Sequence, residues 1–134
     1  MIAATKRFFD FAILTSVFTH MLAGDMEHYL SEIARTLEAG GRCMITFFLL
    51  NSEAAALIKT GRSSIDFKHP LSDCAISNQK VPEAAVAYEE AFIRGRFAKY
   101  KLEIIEPIHY GSWPGRDAFL SYQDIILAVK SWTK

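Results

Sequence analysis

The chain alternates between short unbroken apolar runs and longer stretches with helical spacing. In "FFDFAILTSVFTHML" (8–22), Phe11 to Leu14 are uninterrupted apolar residues, the pattern of a strand covered on both faces. The run stops at the polar residues Thr15, Ser16, Thr19 and His20. Next, Met26, Tyr29, Leu30, Ile33, Ala34 and Leu37 recur at intervals of three and four, which predicts one buried helix face. Asp25 or Gly24 suits its start, and Gly40-Gly41 suits its end, where glycine tolerates a left-handed backbone. "RCMITFFLL", from Arg42 to about Leu49, predicts a second buried strand. A strand, helix and strand with short links imply a parallel pair joined by a right-handed crossover.

A short helix is predicted over Ser52 to Lys59, capped by Ser52. Residues 61–80 are rich in turn formers and read as a long excursion of the kind that often carries function. Pro82 suits the first turn of a helix through "PEAAVAYEEAFIRGRFAKY", which Gly95 weakens near its end. "LEIIEPIHYG" and "SYQDIILAVKSW" predict two closing strands. They are linked by "SWPGRDAFL" and, with no helix between them, expected to be antiparallel.

Composition narrows the class. At 134 residues and 51% hydrophobic, the chain is one packed α/β domain or part of one. Acids and bases number 15 each, so no field draws it to nucleic acid or an anionic membrane. No stretch approaches the length of a membrane span and none resembles a secretory signal, which makes the cytoplasm the expected location. Cys43 and Cys74 are too few for a disulfide framework, and the four histidines are scattered without metal-ligand spacing, so no metal is expected. There is no G-x-S-x-G elbow, and Glu83, Glu89 and Glu90 read as the solvated side of a helix.

The order of "FFDFAILTSVFTHML", "MEHYLSEIARTLEAGGRCMITFF" and the closing "GSWPGR…SYQDIILAVK" resembles the C-terminal half of a class I, Rossmann-like S-adenosylmethionine-dependent methyltransferase. The resemblance spans nearly the whole chain. It implies a partial sheet made of the family's fourth to seventh strands, with one antiparallel strand beside the last parallel one and helices flanking it. Residues 1–134 then form a single partial domain without the family's glycine-rich cofactor loop, its ribose-binding acid or its adenine contact. Gly111 and Gly115 do not replace that loop, since they lack the G-x-G-x-x-G order between a strand and a helix.

In open α/β sheets ligands bind at the carboxyl ends of the parallel strands. The resemblance therefore implies that Thr15, Ser16, Val17 and Phe18 line the methionine portion of S-adenosylmethionine. It places His20, Phe48 and Asn51 beside the acceptor. Read as ordinary structure, Thr15 and Ser16 cap a turn, while Val17, Phe18, Phe47 and Phe48 pack in the core. His20 is then either a general base or a histidine held by a neighbouring backbone group. Asp10 suits hydrogen bonding at the strand's start, and His69, His109, Trp113 and Arg116 suit solvated or turn-packing roles. The expected reaction is methyl transfer, with this chain alone inactive and holding the cofactor poorly. The competing reading is a non-catalytic interaction module. In either case the uncovered edge of "FAIL" is expected to favour a homo-oligomer, a dimer first.

Overall fold

Apolar alternation within the strands, more than the glycines between them, decides where each element lies. The computed structural model describes residues 8–132. In chain order these are β1 (Phe9–Leu14), a 3-10 turn (Phe18–His20), α1 (Ala23–Thr36), β2 (Leu37–Phe47), β3 (Leu49–Leu50) and α2 (Ser52–Lys59). There follow β4 (His69–Pro70), β5 (Cys74–Ile76), a second 3-10 turn (Pro82–Ala84), β6 (Val86–Glu89), α3 (Glu90–Lys99), β7 (Leu102–His109) and β8 (Asp124–Lys130).

The main sheet has the order β1-β2-β8-β7. β1 and β2 are parallel, and β8 runs antiparallel to both its neighbours. This is the mixed sheet the resemblance implies, with β8 as the inserted antiparallel strand. Helices α1 and α3 cover one face. Met26, Leu30 and Ile33 of α1 and Ile93 and Phe97 of α3 pack on Cys43, Ile45, Phe47, Ile126 and Ala128. Each of the leucine, isoleucine, methionine and phenylalanine side chains among them contributes about 1.5–3 kcal/mol through removal from water.

The other face corrects one expectation. β1 is not covered on both sides: Phe9, Phe11 and Ile13 are 59%, 49% and 58% exposed, because both packed helices lie on the face of Ala12 and Leu14.

Several boundaries also move. The N-cap of α1 is Leu22, without a side-chain bond, rather than Gly24 or Asp25. The helix ends at Thr36, and Leu37 is already extended. Gly40-Gly41 therefore sits inside β2 instead of ending the helix. Phe9 pairs with Leu37 and Phe11 with Arg42, so β2 bulges between them. Gly40 takes φ +84° there, and a Cβ on Gly41 would meet the Glu38 carbonyl oxygen at 2.8 Å.

The chain leaves the main sheet after Phe47 and enters a second one, of order β3-β6-β5-β4, which the sequence pattern does not announce. The 61–80 excursion supplies β4 and β5 to it. The helix expected from Pro82 is split. "VAYE" becomes β6, held parallel to β3 and antiparallel to β5, with Val86, Ala87 and Tyr88 wholly buried. Burial on both faces there outweighs the helical spacing. The cap of α2 is Asn51, whose Oδ1 accepts from the Ala54 N–H, rather than Ser52. β7 and β8 form the expected antiparallel pair. No helix among the described residues is long and apolar enough to cross a membrane.

Candidate functional site

Since β1, β2 and β7 all run the same way, their carboxyl ends share one edge of the main sheet. The segments leaving that edge are 15–22, 48–51 (which includes β3) and 110–123. Every residue expected to bind cofactor or acceptor stands on the first two.

Thr15 and Ser16 are exposed at the tip of β1. Ser16 adopts φ 59°, and its N–H donates to Thr46 Oγ1 at 2.9 Å. Its hydroxyl accepts from Gln123 Nε2 at 3.1 Å, tying the first loop to the third. Val17 is half-buried against the core. Phe18 is wholly buried, 5.6 Å from the Phe47 ring and 6.0 Å from Tyr29, so its ring supports the turn from beneath. Thr19 Oγ1 is buried with no hydrogen-bond partner among the described residues.

His20 is exposed, with Nδ1 3.1 Å from the Glu83 carbonyl oxygen. A carbonyl only accepts, so Nδ1 is the donor in this contact. The ring is thus oriented by a backbone group, as a structural histidine is, and Nε2 takes no part in that bond.

Phe48 lies in a separate aromatic cluster, its ring 5.4 Å from both Phe67 and Trp113. Asn51 is half-buried, and its Nδ2 donates to Glu90 Oε1 at 3.0 Å. It borders two adjoining clefts, of about 520 and 330 Å³.

Glu90 corrects the solvated-face expectation. Its side chain is only 16% exposed, and it accepts from Asn51, from the Tyr110 hydroxyl at 2.9 Å and from Arg94 Nε at 2.8 Å. Burial pushes its carboxyl up, but those three donors outweigh burial and hold it below the usual range. An ionised carboxylate so occupied positions its neighbours instead of moving protons. Glu89 is solvated as expected, but it ends strand β6 rather than lying on a helix.

Of the solvated and turn-packing alternatives, Trp113 and Arg116 take the second: Trp113 is wholly buried and the Arg116 side chain nearly so. Arg116 is 8% exposed, its Nε on Glu53 at 2.5 Å, its Nη1 on the Gly111 carbonyl at 2.9 Å, and its guanidinium over the Tyr110 ring. His109 and Tyr110 share with Arg116 a cleft of about 390 Å³.

Asp124, which sequence reasoning passed over, is fully buried at the start of β8. It accepts from the Leu49 N–H at 2.7 Å, the Gly111 N–H at 2.6 Å and Trp113 Nε1 at 2.9 Å. Burial pushes its carboxyl above the ordinary aspartate range, against the pull of these donors and of Arg116. Gly111 has no room for a side chain, since a Cβ would fall 2.3 Å from the Tyr122 carbonyl oxygen. The one sequence signal for this staple is an acid placed directly before the apolar alternation of "IILAV". Among the described residues no group of three or more His, Cys, Asp or Glu side chains is placed to hold a metal ion.

The strand order of the main sheet, its one antiparallel strand and the helices on one face define a partial class I methyltransferase-like fold. Solved structures bear this out. The magnesium protoporphyrin IX methyltransferase of Synechocystis PCC 6803, solved with bound S-adenosylhomocysteine, matches with a TM-score of 0.59 at 19% identity, over 93% of this chain and 46% of its own. An S-adenosylmethionine-dependent methyltransferase from Methanosarcina mazei also matches at 0.59, with 17% identity over 92% of this chain and 59% of its own. The 1,6-didemethyltoxoflavin-N1-methyltransferase of Burkholderia thailandensis, solved with bound 1,6-didemethyltoxoflavin and S-adenosylhomocysteine, gives 0.55 at 14% identity, over 92% of this chain and 44% of its own. The chain spans about half the length of these neighbours. No protein-family model matches it.

Proposed function

We propose that this chain is the carboxyl-terminal portion of an S-adenosylmethionine-dependent methyltransferase domain and that it forms the acceptor-side wall of the site. The observation that carries this reading is the edge where β1, β2 and β7 end together, with Thr15, Ser16 and His20 on its first loop and Asn51 on its second. S-adenosylmethionine supplies an electrophilic methyl group when bound. The residues present do not fit it as a complete site. The Ser16 N–H is already committed to Thr46, Phe18 is sealed in the core, and these 134 residues contain no glycine-rich strand-loop-helix segment. The chain alone is accordingly inactive and a poor cofactor binder.

Calorimetric titration of the 134-residue chain with S-adenosylmethionine or S-adenosylhomocysteine tests this. No saturable heat is expected, and a dissociation constant of about 10 μM or tighter overturns the reading. An in-frame glycine-rich strand-loop-helix encoded upstream of Met1 is the matching expectation at the gene.

The exposure of Phe9, Phe11 and Ile13 favours a second reading, a non-catalytic association module that uses the methyltransferase-like sheet as a scaffold. A chain that ignores the cofactor yet self-associates fits this reading.

A further inference from the structure

The uncovered face of the main sheet has an ordered chemistry that strand register makes explicit. One row across the four strands reads Ile13, Met44, Leu127, Ile105, all apolar. The adjoining row reads Phe11, Arg42, Val129, Glu103, with a cation and an acid either side of a valine. Ile13 and Ile105 are 58% and 39% exposed, at opposite margins of the sheet, and Met44, Leu127 and Val129 between them are only half-buried. Arg42 and Glu103 are exposed, and neither pairs with another charge among the described residues.

We infer that this face is a homodimer interface, closed by a second copy of the chain packed face to face. The inference rests on the association reading and not on methyl transfer. The pattern is self-complementary, as a two-fold contact requires. A two-fold axis running along the strands between β2 and β8 sets β1 of one copy over β7 of the other. Ile13 then meets Ile105, Met44 meets Leu127, and Arg42 comes within one strand spacing of the second copy's Glu103. Both otherwise unpaired charges find partners at the rim of an apolar strip.

The area is sufficient. A whole aromatic side chain offers about 200 Å² and an aliphatic one somewhat less. The exposed parts of Phe9, Phe11, Ile13 and Ile105 with their half-buried neighbours then total roughly 500 Å² per copy. A pair removes about 1,000 Å² from water, the lower bound for a specific interface. Association is therefore expected in the micromolar range.

Sedimentation velocity of the full chain from about 1 to 200 μM tests the inference, and needs no cofactor. The expected result is a concentration-dependent shift from the monomer mass to twice that mass. Ile13→Lys and Ile105→Lys each weaken it by at least about tenfold, a difference of 1.4 kcal/mol. Arg42→Glu and Glu103→Arg each weaken it, and the double exchange restores it. These surface charge variants keep the test valid if a lysine variant fails to fold, as read by circular dichroism. A wild-type chain monomeric throughout overturns the inference. So does a dimer that Ile13→Lys abolishes and Ile105→Lys leaves intact, since that result assigns the contact to the free edge of β1.

Discussion

Replacing Asp124 with alanine is expected to be among the most damaging single changes in this chain. The wild-type carboxylate satisfies three buried donors: the Leu49 N–H, the Gly111 N–H and the Trp113 indole N–H, all between 2.6 and 2.9 Å. Alanine leaves all three unpaired and also deprives Arg116 Nη1 of a charge 3.6 Å away. Each orphaned buried donor costs about 1–3 kcal/mol. Relief from burying a charge and local relaxation take some of this back, which leaves a net loss of about 3–5 kcal/mol. Against a typical domain stability of about 5–15 kcal/mol, that is a large share. For a chain of this size the midpoint of thermal unfolding falls by roughly 10–20 °C.

Circular dichroism melts paired with urea titrations provide the measurement, and the emission of the buried Trp113 reports its surroundings directly. Asp124→Asn is expected to lie between wild type and alanine, because its amide oxygen still serves Leu49 and Trp113 while its NH₂ group faces the Gly111 N–H. A fall of less than about 3 °C for the alanine variant refutes the view that this carboxylate ties the loop, β3 and β8 together.

Glu27 joins α1 to α3, accepting from Lys99 Nζ at 2.8 Å and the Tyr100 hydroxyl at 2.7 Å, with Arg96 close by. The Lys99 and Tyr100 bonds hold its carboxyl down at about 2, so the stability it contributes is complete above the ordinary glutamate range near 4.5 and is lost as pH falls toward 2. Glu27→Gln is expected to flatten that part of the stability-against-pH curve, and an unchanged slope in acid melts counts against the contact. Burial raises the thiol of Cys43 to about 11 and also lifts that of Cys74. Both cysteines should resist a thiol-modifying disulfide reagent at neutral pH until the chain unfolds, and prompt reaction of two thiols per native chain contradicts the packing.

The parts of the fold legible in the sequence are those governed by local periodicity. The spacing of Met26, Leu30, Ile33 and Ala34 identifies the buried face of α1, although Tyr29, expected on that face, is 46% exposed; the apolar runs at Phe11 and Cys43 identify the parallel pair. The resemblance supplies the order of the sheet. What stays hidden depends on partners distant in the chain. "VAYE" becomes a strand only because β5 and β3 flank it, although its own spacing suits a helix. Gly40 and Gly41 look like a helix stop, yet the helix yields earlier because Leu37 is needed opposite Phe9.

The site divides in the same way. The loop holding Thr15, Ser16 and His20 follows from a strand end, which sequence reveals. The roles of Glu90 and Asp124 rest on donors 11 to 75 positions away, and that of Arg116 on an acceptor, Glu53, 63 positions back. A charged residue looks solvated in sequence until those partners are located.

One junction ties the whole chain together. Phe47 and Phe48 are neighbours in the chain, but Phe47 enters the core beneath the main sheet, and Phe48 enters the cluster built on Trp113. The same few residues carry the backbone bond from the Tyr88 N–H to the Phe48 carbonyl and the bond from Leu49 to Asp124. Loosening one sheet withdraws an aromatic anchor from the other, so the two are expected to unfold as one cooperative unit, with amides near this junction exchanging with solvent only when the entire molecule opens.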